Sequence, residues 1–213
     1  YGMCELGSTI TSTRPQYGKY ESVGYPALPQ ILVAAFDEDT DKELIYGERG
    51  EIRVCSPAAM LGYYRNTEAT EKFFYTDEDG RRWGCTGDIG YVDEDGFVFI
   101  EGRKNEYFAR HNGKKLYLFD VEKVALSDAA VSQCEAVITE LGKKRALILH
   151  ILLQEKNQET PQVIIKRISE SYGQKLPECV KPNYYKIRTS FPVHASGKRN
   201  VEALKEEIDG LLD

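Results

Sequence analysis

The chain has 213 residues, 41% of them hydrophobic and 29% charged, enough for one large domain or two small ones with a real core. Its net charge of −6 argues against a dedicated nucleic-acid binder, and no apolar run reaches the ~18 residues of a membrane span. The charge is uneven: 11 basic and 19 acidic residues up to Lys104, then 17 basic and 15 acidic, a shift that suggests two domains with different surfaces.

From Tyr25 to Ile100 the text is mostly strand-like. "ILVAAFD", "GEIRVCS", "WGCTGD" and "FVFIEGR" are short β-rich runs separated by Gly, Pro and acidic turns. "DEDG" occurs at Asp77–Gly80 and again at Asp93–Gly96. Neither copy continues into the oxygen-ligand spacing of a calcium loop. Between strands, Asp-Gly reads as a hairpin turn in which Gly supplies φ > 0. "NTEATEKFF" reads as a short helix capped by Asn66 or Thr67.

Beyond Arg103, "NEYFARHNGKKLYL" reads as a hairpin turning at Asn112-Gly113. "DVEKVALSD" has helical spacing, with Val121, Val124 and Ala125 on one face. "SQCEAVITE" and "RALILHILLQ" read as strands, the second buried on both sides. "TPQVIIKRISESYGQKL" reads as a helix with Thr160 as N-cap, Pro161 at the first position, Val163, Ile164 and Ile168 apolar, and Gly173 near its end. "YYKIRTSFP" reads as a strand and "NVEALKEEIDGLL" as a last amphipathic helix capped by Asn200.

Five cysteines (Cys4, Cys55, Cys85, Cys134, Cys179), odd in number and without a C-x-x-C pair, suggest reduced thiols in a cytoplasmic protein. His111, His150 and His194 are far apart and form no zinc spacing. "SGK" at Ser196–Lys198 is not a phosphate loop, because Pro192 and Arg199 stand where that motif needs Gly and Ser or Thr.

Four stretches, "YGMCE", "TGD", "GRKNEYFARHNGKKLYLFDVE" and "ASGKRN", are weak signals singly but collinear. Together they resemble the later signature motifs of the adenylate-forming (AMP-binding) ligases: acyl-CoA synthetases, peptide-synthetase adenylation domains and luciferases. "YGMCE" is similar to Y-G-x-T-E and "TGDIGYVDEDGFVFIEGRKNEYF" to T-G-D-[LI]-G-x-x-D-x-D-G-[FY]-x-x-[IF]-x-G-R-x-D. "GEIRVCSPAAMLGYYRNTEATEKFF" resembles the stretch between them. "HNGKKLYLFDVE" resembles the glycine-containing loop leading into P-x-E-[IV]-E, and "FPVHASGKRNVEAL" resembles [FL]-P-x-[TS]-x-[ST]-G-K-x-x-R-x-x-L. The resemblance covers nearly the whole chain.

It implies an α+β fold: residues 1–104 as the β-rich, distorted-barrel end of a large N-terminal domain, and 105–213 as a small mobile C-terminal domain with a mostly antiparallel sheet and helices. The phosphate loop and most of the acid pocket precede these motifs in the family, so the stretch is expected to be inactive alone. The implied reaction joins a carboxylic acid to the α-phosphate of ATP and then to a thiol, with Mg²⁺ as cofactor and coenzyme A, or the phosphopantetheine of a carrier protein, as acceptor. Transition-state charge gathers on carboxylate and phosphate oxygens, which fixed cations and Mg²⁺ stabilise.

By resemblance, Tyr1 stacks on adenine, Gly2 belongs to the same nucleotide-binding stretch, and Cys4 stands where a Thr bonds the α-phosphate. Glu5 is the Mg²⁺-directed carboxylate. Asp88 takes the ribose hydroxyls, Arg103 the ribose or phosphate, and Lys198 is the catalytic cation of adenylation. The small domain turns about Asn105 between the two steps, and Gly113 lines the thiol route. Cys4 departs from the family as a poorer donor, a loss on the order of 1 kcal/mol. Asn105 replaces Asp or Lys, Ala109 a basic residue, Leu118 a Pro, and Val201 an Arg. Because Glu5, Asp88, Arg103 and Lys198 are retained, an active acyl-CoA synthetase type is implied. An amino-acid-activating domain loading a carrier protein, or a non-catalytic binding or regulatory relative, is the alternative.

Overall fold

The structure is a computed structural model that describes residues 1–14, 16–111, 114–141, 144–176, 181–207 and 209–212. The chain divides into two compact units, Tyr1–Asn105 and Glu106–Asp213, and each is described by itself.

The first unit opens on a single 3-10 turn, Cys4–Leu6, closed by Gly7 at φ 92°. Two short strands, β1 (Thr11–Ser12) and β2 (Tyr25–Pro26), pair antiparallel. Then come β3 (Leu32–Phe36), β4 (Gly50–Cys55), helix α1 (Thr67–Phe73), β5 (Phe74–Thr76), β6 (Arg82–Val92) and β7 (Val98–Arg103). They form an antiparallel sheet in the order β3-β4-β6-β5, with β7 also on β6. The eleven-residue β6 serves β5 with its first part and β7 with its last, so the sheet curls around it. Both DEDG segments are hairpin turns: Gly80 (φ 78°) and Gly96 (φ 82°) donate to the carbonyls of Asp77 at 3.0 Å and Asp93 at 2.9 Å. Asn66 caps α1, its side chain accepting from Ala69 N. Leu6, Ile10, Ile52, Val54 and Val98, all fully buried, make the core.

The second unit begins with an antiparallel pair, β8 (Tyr107–His111) and β9 (Lys114–Tyr117); its Asn112-Gly113 connection lies outside the described residues. Helix α2 (Leu118–Leu126), β10 (Val131–Leu141), β11 (Lys144–Leu153), α3 (Pro161–Lys175), β12 (Tyr184–Arg188) and α4 (Val201–Glu206) follow. The sheet order is β10-β11-β12. β11 is central and buried on both faces. Leu147, Leu149 and Ile151 point into a core with α2 and α3, and Ile148 into a second one with Val137 and Leu204 of α4.

The α+β class agrees with the sequence reading, and in the second unit β10 and β11 pair antiparallel, as expected of its sheet. Four details differ. β12 runs parallel to β11, since α3 carries the chain back across the sheet before it starts. On α3 the core positions are Ile164, Ile165, Ile168 and Tyr172, while Val163 is half exposed and Gly173 is inside the helix. α2 begins at Leu118, two residues earlier than its apolar spacing marks. α4 stops at Glu206, because Gly210 takes φ 69° and Leu212 forms a bridge with Tyr185. No helix among the described residues is long and apolar enough to cross a membrane.

Candidate functional site

The first unit gathers six of the candidate residues around a break in β6. Against β4, Glu51 pairs with Ile89 and Arg53 with Cys85, so Thr86, Gly87 and Asp88 together oppose Ile52. This is a bulge, and the tripeptide TGD builds it. Gly87 adopts φ 70°, a conformation open to glycine at little cost. The Thr86 hydroxyl donates to Ile52 O at 2.6 Å and accepts from Asp88 N at 3.1 Å. Asp88 sits inside the strand, which runs on to Val92, and not at a strand end.

The Asp88 carboxylate is nearly buried, with 8% of its side chain exposed, and both oxygens are engaged. Oδ1 is 2.8 Å from Arg103 Nη1, the residue paired with it across β7. Oδ2 accepts from the Tyr1 hydroxyl. Burial, and then the bond to Asp88, pushes the Tyr1 phenol well above the ordinary range, so it stays a proton donor at neutral pH. Arg103 is 55% exposed at the side chain, leaving guanidinium edge available to a ligand.

Glu5 is held by the 3-10 turn. Leu6, fully buried, anchors that turn against β6, where a Cβ on Gly84 would come within 2.6 Å of it. Glu5 O accepts from Met60 N at 2.8 Å, and Glu5 Oε1 accepts from the Tyr63 hydroxyl at 3.0 Å. Gly2 passes so close to the far side of the turn that an added Cβ would lie 1.5 Å from Ser8 O. Cys4 is exposed beside Glu5.

Glu5 and Arg103 face one open groove of about 870 Å³, lined also by Tyr63, Lys72, Phe73 and Lys104. Beneath it, the buried Arg53 and Glu51 pair at 3.0 Å, Lys104 Nζ reaches the same Glu51 oxygen at 3.0 Å, and Asp41 caps Arg53 from outside. Burial raises the Cys85 thiol in this wall, keeping it protonated and a weak nucleophile. Tyr63, Thr86 and Lys104 all fall inside the motif-like stretches, Tyr63 in the Gly62-Tyr63 pair of "GEIRVCSPAAMLGYYRNTEATEKFF", but no motif letter marks the contacts that they make.

Lys104 N donates to Gly87 O at 2.8 Å, the bond that ties the end of the first unit to the TGD bulge. Asn105 follows it, exposed, as the unit's last residue. Lys198 belongs to the second unit, exposed on the tight turn His194–Lys198 where Gly197 has φ 80°. Gly113 lies outside the described residues.

No protein-family model matches the chain. It is 29% identical to a long-chain-fatty-acid–CoA ligase of Salmonella typhimurium over 216 residues, covering 100% of this chain and 36% of that one. It is 30% identical to a D-alanine–D-alanyl carrier protein ligase of Streptococcus pyogenes over 209 residues, covering 95% and 40%. Among solved structures, O-succinylbenzoate coenzyme A synthetase from Bacillus subtilis in complex with AMP superimposes with a TM-score of 0.68 at 26% identity, covering 98% of this chain and 40% of that one. The chain therefore spans 36% and 40% of the lengths of those two curated relatives.

Proposed function

We propose, from the premise that this chain belongs to the adenylate-forming (AMP-binding) ligase superfamily, that the protein carrying it is an ATP-dependent acid–thiol ligase. A carboxylate oxygen attacks the α-phosphorus of ATP and pyrophosphate leaves with the broken P–O bond. A thiol sulfur then attacks the acyl carbon, AMP leaves, and the thiol proton goes to solvent. The observation that carries this reading is the Tyr1–Asp88–Arg103 cluster beside a groove that Glu5 also faces.

The residues fit the substrates. Asp88 offers its remaining lone pairs to ribose hydroxyls, and Tyr1, fixed through its hydroxyl, offers its ring face to the base. Arg103 brings a planar cation to sugar or phosphate. Glu5, one carboxylate with one oxygen already held by Tyr63, suits a hard cation that takes phosphate oxygens as its other ligands. When bound there, Mg²⁺ supplies charge neutralisation on the phosphates. Lys198 brings a point charge to the carboxylate and phosphate during adenylation.

The proposal extends to the domains: residues 1–104 belong to a larger nucleotide-holding domain, and 105–213 form a small one that turns about Asn105 between the two steps, with Gly113 on the thiol route. We also propose that the 213-residue stretch has no turnover alone, as it spans so little of its relatives' length. The acceptor we favour is coenzyme A; the D-alanyl carrier protein ligase relative supports a carrier protein as the second reading.

The test is acid-dependent exchange of labelled pyrophosphate into ATP by the full-length natural protein. Exchange is expected, and Lys198→Ala should abolish it; exchange undiminished in Lys198→Ala overturns the assignment. Thioester formation on adding coenzyme A or carrier protein decides the acceptor.

A further inference from the structure

The turn that presents Lys198 is too small to hold itself in place. Val193 and Arg199 form an isolated antiparallel bridge. Asn200 N donates to Pro192 O at 2.8 Å, His194 N to Lys198 O at 2.8 Å, and Gly197 N to His194 O at 2.9 Å. These bonds shape the turn without fixing where it points.

Phe191 and Val201, flanking the turn, pack against the core around Val137, Ile148 and Leu204, and the side chain of Arg199 ties the turn itself to β10. Arg199 Nη1 donates to Cys134 O at 3.0 Å and to the Glu135 carboxylate, and Nη2 donates to Gln133 Oε1 at 2.9 Å. Its guanidinium carbon lies 4.2 Å from the centroid of the Phe191 ring, on the arm that leads into the same turn. Three successive residues of β10 are thus gripped by a single planar fork, which a lysine could not do. With Arg199 held down on β10, its neighbour Lys198 at the end of the turn is exposed.

We infer that Arg199 is a positioning residue for Lys198: it clamps the turn to β10 and so fixes the lysine's amine for adenylation. The inference rests on the reading of Lys198 proposed above. It makes Arg199 important in the first half-reaction and unimportant in the second, in which Lys198 takes no part.

The two half-reactions are measured separately on the full-length natural protein. Arg199→Ala should lower kcat for acid-dependent pyrophosphate exchange by about ten- to a hundredfold, the usual cost of an ångström-scale misplacement. KM for ATP, and transfer from a synthetic acyl-adenylate to the thiol, should stay within about twofold. Arg199→Lys, which keeps the charge beside Glu135 but loses the fork, should fall between. If Arg199→Ala does not fold, Glu135→Gln, which takes the charge from one of the grips and so weakens it, should show the same split at smaller size.

Equal losses in both half-reactions, or wild-type exchange in Arg199→Ala, would overturn the clamp while leaving Lys198 in its role. Undiminished exchange in Lys198→Ala would instead remove the reading beneath it.

Discussion

Glu122 gives the sharpest test of how the second unit is built. It lies on α2 with Oε1 accepting from Ala136 N of β10 at 2.8 Å, and Cys134 and Glu135 stand beside it. Burial, reinforced by the carboxylates of Glu135 and Glu106, lifts its carboxyl from the ordinary 4.5 to about 7; the Ala136 N–H and Arg199 only partly oppose this. A folded-state value above the unfolded one means that the native protein holds the proton more tightly. The stabilisation is therefore complete below about pH 4.5 and is lost as pH rises through about 7. At about 1.36 kcal/mol per unit, the loss amounts to roughly 3 kcal/mol.

Glu122→Gln keeps a carbonyl oxygen for Ala136 N and cannot ionise. The variant and the natural protein should be about equally stable near pH 5, and the variant should gain as pH rises, by roughly 3 kcal/mol by pH 8 to 9. Urea unfolding followed by circular dichroism at several pH values, with slope and midpoint fitted together, measures this. An advantage of the same size at pH 5 and pH 8 would refute the reasoning, since it could not come from ionisation. So would a variant less stable at pH 8, which would mean that Arg199 compensates a charged Glu122.

His150 predicts the opposite slope. It is fully buried on β11, and its Nδ1 lies 3.3 Å from Arg188 Nη1, a group that can only donate. Burial, with Arg188 and Lys186 overriding the opposing Glu207, lowers it from 6.5 to about 4. Its share of stability is present above pH 6.5 and should be lost as pH falls through 4, by roughly 3 kcal/mol, and NMR should show no titration of the His150 imidazole between pH 5 and 8. Asp88→Asn keeps the shape of the side chain but leaves Arg103 without its anion; KM for ATP in the exchange assay should rise at least about tenfold with the melting temperature nearly unchanged, because an ion pair to a half-exposed arginine adds only ~0–1 kcal/mol. Gly2→Ala forces a methyl against Ser8 O, so the turn bearing Glu5 must move; exchange should fall by about ten- to a hundredfold, and added Mg²⁺ should restore it in part.

What the sequence shows of this molecule follows the range of the forces involved. Both DEDG turns are legible because Gly80 and Gly96 need φ > 0 and the strands beside them are local. The Asn66 and Asn200 caps are legible for the same reason, each accepting from a backbone N–H three residues on. The parallel pairing of β12 with β11 is not, since it depends on where α3 returns the chain. The last helix reads longer than it is because apolar spacing continues through Leu211 and Leu212, whereas Leu212 gains more by exchanging backbone bonds with Tyr185. At the candidate site the charged residues were legible as motif letters. The contacts that aim them were not: Arg199 finds its partners 64 to 66 residues away.

The pairing of Asp88 with Arg103 shows how little the motif letters alone decide. From Val92–Val98 back to Gly90–Ile100, β6 and β7 pair residue for residue; then Ile89 meets Gly102 and Asp88 meets Arg103, so Glu101 is one residue too many on β7. Without that extra residue Asp88 would oppose Gly102, and Arg103 would face Gly87. A one-residue slip also turns each following side chain to the opposite face of the sheet. "FVFIEGR" reads as an unbroken strand and gives no hint of this. The bulge at TGD on β6 and the extra residue on β7 therefore have to occur together, one turning a carboxylate out of the ladder and the other bringing a guanidinium opposite it.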